Sequence, residues 1–259
     1  MRDLAVARAA PRLSVVCPVY NEGTNIGRQL DALANGITVP MEVLLVYDRD
    51  DDDTLPPARE RAPFLPFPVF LLKNRYGQGA LNAIKTGFAE ARCEAVLVVM
   101  ADLSDDLRIV GRMHELIEQG YHVVCGSRYM PGGRQIGGPP LKTLLSRLAG
   151  VSLHYLTGLP TRDVTNSFKM YRTAFVRGLQ LESSGGFEIG MEIVVKAFVS
   201  GGRIAELPST WSDRSAGRSR FRLWKWLPHY LRWYFHALLH RPRRRRPGTS
   251  TSDSRSSAR

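Results

Sequence analysis

Three cysteines in 259 residues are too few and too scattered for a disulfide framework. Cys17, Cys93 and Cys125 fit no zinc or thioredoxin-like spacing, which leaves them as small buried hydrophobes in a reducing compartment. Long apolar runs are also missing. No window reaches the roughly 18 uncharged apolar residues of a membrane-spanning helix. Residues 1–12 carry arginines but no apolar core of a signal peptide, so a flexible N-terminus and a cytoplasmic location are expected. There is no internal repeat. Acidic residues disappear between Arg214 and Arg246, a stretch with eleven Lys or Arg and no Asp or Glu.

The length suits one large α/β domain or two small ones, and a composition 44% hydrophobic and 23% charged is that of a globular protein. The formal charge of +12 is unusual, and the C-terminal stretch supplies almost all of the excess. Four β-branched, apolar runs organise the first 130 residues. Residues 13–17 lead into Pro18, Tyr20, Asn21 and Glu22; 42–47 into Asp48; 95–100 into Asp102; and 122–126 into Arg128. Such runs read as buried strands of a mostly parallel sheet, with a further strand at 69–72. In an open α/β sheet, ligands bind beyond the carboxyl ends of the strands, where these acids and this arginine fall.

Helical periodicity lies between the strands. Ile26, Leu30 and Leu33 stripe a helix that Asn35-Gly36 ends; Leu81, Ile84 and Phe88 stripe a second; Leu107, Val110, Met113 and Leu116 a third. Residues 56–68, with five prolines, read as turns, and 131–140, rich in glycine and proline, as a long loop. Beyond it, 141–159 is amphipathic, Ile189 to Ala197 is helical and 204–207 is a short strand. Residues 221–240 mix aromatics with bases, and 241–259 are expected to be a disordered basic tail.

Each polar residue at a strand end has two readings. Asp48 is either a solvated turn acid or an acceptor for the ring N–H groups of a base. Asp102 is either a helix cap or a ligand holding Mg²⁺ or Mn²⁺ against a diphosphate. Ser104 fills the cap role as well, which frees Asp102. Arg128 suits phosphate oxygens through its fork. Asp50 to Asp53 lacks the spacing and the glycine of a calcium loop and reads as solvated or metal-adjacent.

Ser14 to Glu22 resembles the P-x-Y-N-E opening of family 2 glycosyltransferases, and Val46-Tyr47-Asp48 through Asp52-Asp53-Thr54 is similar to their V-D-D-G-S-x-D-G-T. Met100 to Ser104 resembles the D-A-D-L-S, and Gly126 to Tyr129 the G-T-R-Y, of dolichol-phosphate mannosyltransferases and other polyprenyl-phosphate glycosyltransferases. Asp163 to Arg172 and Ile204 to Arg220 resemble two further motifs of that group. The resemblance implies a GT-A fold over about 13–220, a nucleotide-sugar donor and an inverting transfer. It places Pro18, Tyr20, Glu22 and Asp48 around the nucleotide, and Asp102, with Ser104, at the metal. Arg128 falls at phosphate, Arg147 and Ser167 at the acceptor, and Arg214 and Arg220 near the diphosphate and acceptor. Met100 and Tyr47 stand where the family has the first acids of D-x-D and V-D-D, and a thioether is a poor ligand for Mg²⁺ or Mn²⁺.

A sugar hydroxyl acceptor needs a general base, whereas a lipid phosphate is already largely ionised at neutral pH. The second half of the chain offers Arg147, Arg214, Arg218 and Arg220 but few bases: Asp163, Glu188 and Glu192. That balance favours a polyprenyl phosphate as acceptor. A glycan or small-molecule hydroxyl is the alternative, and an inactive nucleotide-sugar-binding relative is a third. The basic aromatic segment suits a helix lying in the headgroups on the inner face of an anionic membrane. Nothing resembles a nucleic-acid-binding motif.

Overall fold

The buried apolar runs pair into one seven-stranded sheet. The computed structural model describes residues 9–213 and 223–240. Arg214, Arg218, Arg220 and the tail from residue 241 lie outside the described residues, as do residues 1–8. Strands β1 (Leu13–Val19), β2 (Met41–Tyr47), β3 (Val69–Lys73), β4 (Ala95–Val98) and β5 (Val123–Ser127) are separated by helices α1 (Gly23–Gly36), α2 (Leu55–Arg61), α3 (Ala80–Glu90) and α4 (Val110–Glu118). The second half adds β6 (Arg134–Ile136), α5 (Pro140–Thr157), β7 (Lys169–Arg172), α6 (Thr173–Arg177), α7 (Ile189–Val199), β8 (Ile204–Pro208), β9 (Thr210–Ser212) and α8 (Leu223–Leu239). The main sheet has the order β3-β2-β1-β4-β7-β5-β8, with β7 antiparallel to both neighbours and every other pair parallel.

Register sets the ligand edge. Val19 lies opposite Tyr47, so Tyr20 and Asp48 leave the sheet side by side, and Val16 lies opposite Val98, so Met100 to Asp102 extend the same edge. The strands are buried on both faces because each carries a helical layer. Alternate residues of β1 and β2 pack with α1, α2 and α4 on one side (Val15, Val43 and Leu45 with Ile26, Ala58 and Met113). The others pack with α3, α7 and α8 on the opposite side (Val16 and Leu44 with Ile84, Ile193 and Trp233).

Three expectations are corrected. The proline-rich passage from residue 56 begins with a helix: Pro56 and Pro57 fill the first turn of α2, where a missing N–H breaks no helical bond. The 131–140 loop holds β6, paired in parallel with β9. Strand β7 was hidden from an apolar-run reading because it opens on Lys169, fully buried and satisfied by the carbonyls of Val164 and Asn166.

Helix α8 does not lie on the molecule as a separate surface element. Trp233 and Ala237 sit in the core, Trp233 Nε1 donates to Ser183 Oγ at 3.2 Å, and Arg232 pairs with Glu182. Tyr234 meets Ser152 of α5 at 2.9 Å. Helix α5 itself is pressed against the loop before β7 at Gly150, where a Cβ would stand 2.1 Å from the Arg162 carbonyl oxygen. Only glycine permits that approach, which brings α5 to the ligand edge. The outward faces of both helices leave Leu141, Leu144, Leu148 and Phe235 exposed.

Candidate active site

A cleft of about 720 Å³ opens at the carboxyl edge of the sheet, between the first strand ends and the α5–α8 pair. Pro18, Tyr20, Glu22 and Asp48 line it on one side; Met100, Asp102 and Ser104 form its middle; Arg128 and Ser167 stand opposite. Asp48, Asp102 and Arg128, expected to converge, share this one cavity.

The acidic loop after β2 is a scaffold for the donor side. Asp52 is buried and accepts the N–H groups of Asn21 and Thr54. Glu22 N–H donates to Thr54 Oγ1 at 2.9 Å, and Gly23 N–H to Asp53 Oδ1 at 2.9 Å. The backbone after β1 is thereby held in a turn that puts Asn21 at φ 52°, a left-handed conformation that asparagine tolerates. Asp50 and Asp51 pair with Lys73 and Arg49 on the surface. Asp48 is oriented by Asn74 Nδ2 at 2.9 Å and by Gly79 N–H at 2.9 Å, and a carboxylate retains lone pairs for a further donor.

Asp102 lies four residues past the end of β4, further out than the sequence pattern suggested, and is nearly buried. Its Oδ1 accepts from Ser104 Oγ at 2.6 Å and from Ser104 N–H at 3.2 Å. Leu103 between them has φ 62°, an uncommon conformation for a side chain of its type, held by its N–H on Gln29. The helix cap assigned to Ser104 belongs instead to Asp106, which accepts from Arg108 N–H. Asp105 accepts the N–H of Met100, and burial pushes its carboxyl up to about 7, with Asp102's charge adding to the effect.

Arg128 is committed more deeply than a surface phosphate clamp. Its Nε and Nη2 fork onto Asp163 at 2.7 and 2.8 Å, and Nη2 also reaches Ser146 Oγ at 3.0 Å. Burial alone would raise the Asp163 carboxyl; the charge and hydrogen bonds of Arg128 outweigh it and hold Asp163 below the usual carboxylate range. Only the Nη1 side of Arg128 remains for an anion, its one contact being Gln135 at 3.4 Å. Arg147 is exposed and does not line the cleft; five residues earlier, Lys142 does, together with Ser146. The signal for Lys142 was its position in α5: residues 142, 145, 146 and 149 make one face, and 147 another. The roof comes from α8, whose Trp226, Leu227, Tyr230 and Tyr234 face the cavity.

The three carboxylates that sequence offered as bases stand away from the cavity. Asp163, Glu188 and Glu192 are fully buried. Glu188 accepts the N–H groups of Gly185 and Gly186; Glu192 accepts those of Glu182 and Ser183 and pairs with Lys196. None of the three lines the cleft.

Residues 14–179 match the glycosyl transferase family 2 description. The chain belongs to that family. It is a glycosyltransferase with a GT-A fold. The chain is 28% identical over 229 residues to a dolichol-phosphate mannosyltransferase of Pyrococcus furiosus, covering 85% of this chain but 63% of that protein. Its likeness to a polyprenol monophosphomannose synthase of Mycolicibacterium smegmatis is 29% over 227 residues and 84% of each chain. Among solved structures, a glucosyl-3-phosphoglycerate synthase from Mycobacterium tuberculosis, in complex with Mn²⁺, UDP and glucosyl-3-phosphoglycerate, superposes with a TM-score of 0.65. It is 16% identical and covers 90% of this chain and 81% of its own.

The side chains of this glycosyltransferase meet the minimum for a divalent cation shared with a diphosphate. Among the described residues no three His, Cys, Asp or Glu side chains cluster as a metal site. Asp102 and the Ser104 hydroxyl are the oxygen-bearing groups that would hold such an ion, and Mg²⁺ is often held by one or two carboxylates with substrate phosphates completing its shell.

Proposed function

We propose that this glycosyltransferase moves a sugar from a nucleoside-diphosphate sugar to a polyprenyl phosphate at the inner surface of a membrane. One observation carries the reading. The acceptor half of the cleft contains cations and hydroxyls (Lys142, Ser146, Ser167 and the free side of Arg128) and an aromatic roof, while its three candidate bases are buried and committed elsewhere. A phosphate acceptor needs positioning by charge and no proton removal. The names of the Pyrococcus and Mycolicibacterium relatives fit the same acceptor class.

In this reading the donor's base lies by Pro18, Tyr20 and Asp48, and its diphosphate by Asp102. Asp102 and Ser104 would hold Mg²⁺ or Mn²⁺, which neutralises the charge that grows on the departing diphosphate. Lys142 and Arg128 orient the lipid phosphate so that one of its oxygens attacks the anomeric carbon from the face opposite the leaving oxygen. The new C–O bond forms as the bond to the diphosphate breaks, which inverts the anomeric centre. Tyr20 and Tyr230 both line the cleft, and their rings would exclude water that hydrolyses the donor. Arg214 and Arg220 are assigned to the diphosphate and acceptor on the motif alone.

No helix among the described residues is long and apolar enough to cross a membrane. The exposed apolar residues of α5 and α8 stand beside the cleft mouth, with Lys142, Arg147, Lys225 and Arg232 on the same two helices. That arrangement suits a surface resting on anionic headgroups, from which a polyprenyl chain enters without leaving the bilayer. Incubation with labelled UDP- and GDP-sugars, together with a polyprenyl phosphate in anionic vesicles, tests the reading. Labelled lipid is the expected product. Transfer to a free glycan without lipid, with an acidic pH limb from a carboxylate base, would replace it with the hydroxyl-acceptor reading.

A further inference from the structure

We infer that a divalent metal joins this protein only together with a nucleoside diphosphate, and that Met100 is the residue that makes it so. The inference rests on the donor reading above and adds how the donor site acquires its cation.

The cleft wall offers a hard cation very little before the nucleotide arrives. Met100 is half-buried, lines the cavity beside Asp102 and packs its side chain onto the core under α3 and α7. Its thioether is a soft ligand that hard cations do not select. Asp102 has one oxygen turned to Ser104 by two hydrogen bonds. Asp105, the next carboxylate along the chain, accepts the Met100 N–H and does not line the cleft. Glu22, which follows the neighbouring strand β1, also lines the cleft, and its Oε2 accepts from Asn25 Nδ2 at 2.8 Å. Among the described residues no three acidic, histidine or cysteine side chains gather as a metal site, so the wall cannot fill the six oxygen positions such an ion takes. The diphosphate and water must supply the rest, so the diphosphate is a condition of metal uptake. An aspartate at 100 would add a second carboxylate two residues from Asp102, on the same wall.

The test is a Mn²⁺ titration of the full-length protein followed by the electron paramagnetic resonance of free Mn²⁺. It is run alone, with UDP and with GDP, each against the nucleotide without protein, beside calorimetric titration of both nucleotides. Wild-type protein alone should leave the free-ion signal unchanged. With a nucleotide that binds, it should lower the signal below the protein-free control. Met100→Asp should bind Mn²⁺ without nucleotide, at least about tenfold tighter than wild type, the lower end of what a single supporting contact to a metal contributes. Three outcomes overturn the inference and leave the donor reading standing: Mn²⁺ uptake by wild-type protein alone, nucleotide binding with no Mn²⁺ uptake, or a correctly folded Met100→Asp no tighter than wild type. Failure of both nucleotides to bind with or without Mn²⁺ removes the donor reading and the inference together. If near-ultraviolet circular dichroism shows Met100→Asp misfolded, the wild-type titrations still decide.

Discussion

The two walls of the cleft use carboxylates in opposite ways. On the donor wall, Asp48 and Asp102 are oriented by short hydrogen bonds and still line the cavity. On the acceptor wall, Asp163, Glu188 and Glu192 are withdrawn completely, and their charge is used to hold Arg128, the 183–186 segment and Lys196. The lesson is that an acid's role follows from what its neighbours leave unsatisfied. A carboxylate that is oriented at the cleft lining remains within reach of a ligand, whereas one that accepts two or three N–H groups in the fully buried interior is part of the framework.

Removing one acid from each wall tests the contrast most strongly. Asp102→Ala should lower sugar transfer by about 10² to 10³-fold, the usual cost of losing one transition-state charge contact, with the melting temperature little changed. Asp163→Ala should act first on stability. It strands a buried guanidinium and should cost about 3–5 kcal/mol of stability, read by denaturant unfolding. The same pair gives a pH signature. Because Asp163 is held below its ordinary range in the folded state, its contribution is fully present above the unfolded carboxylate value of about 3.9 and is lost as pH falls below it. Asp163→Asn should flatten that acid limb. An Asp102→Ala enzyme with full activity, or an Asp163→Ala protein as stable as wild type, would erase the distinction between the walls.

The donor wall was legible in the sequence and the acceptor wall only in part, for a physical reason. Donor residues sit directly after strands, and a β-branched run that stops at Asp48 or reaches Asp102 announces both the strand and its polar end. Acceptor residues sit on a helix face and in a loop folded back on the sheet. The choice between Lys142 and Arg147 depends on helix rotation, which Gly150 fixes by its contact with Arg162. Likewise, Lys169 concealed β7, and the motif match at Arg128 did not reveal that Asp163 would take most of its fork. Helix α8 was visible as an aromatic, basic segment. That half of it is core depended on Trp233 finding Ser183, a contact 50 residues away in the chain.

The acceptor wall can be sharpened at finer scale by comparing the two α5 cations. Lys142→Ala should cost about tenfold in kcat/KM for the lipid phosphate, near the low end of a charge-assisted contact, with the donor KM unchanged. Arg147→Ala should stay within about twofold, as expected of an exposed charge that touches the substrate only through solvent. Equal effects of the two substitutions would mean that α5 rotates when substrate binds.

The outer face of the same helices should contribute least. Truncating α8 would not isolate membrane contact, because removing Trp233 and Ala237 opens the core. Single charge insertions at exposed positions avoid that problem. Leu144→Glu, Leu148→Glu and Phe235→Glu each place a carboxylate where side chains already face solvent, so folding should be preserved. Each should weaken sedimentation with anionic vesicles about five- to tenfold, since one charge at an anionic surface is worth roughly 1 kcal/mol and an apolar contact is lost with it. Transfer to a short, water-soluble polyprenyl phosphate analogue should be unaffected. Phe64→Glu, on an exposed apolar side chain in the segment before β3, is the matched control. If it lowers vesicle binding as much as the α5 and α8 substitutions do, attraction is spread over the whole basic surface and the cleft mouth has no special claim on the membrane.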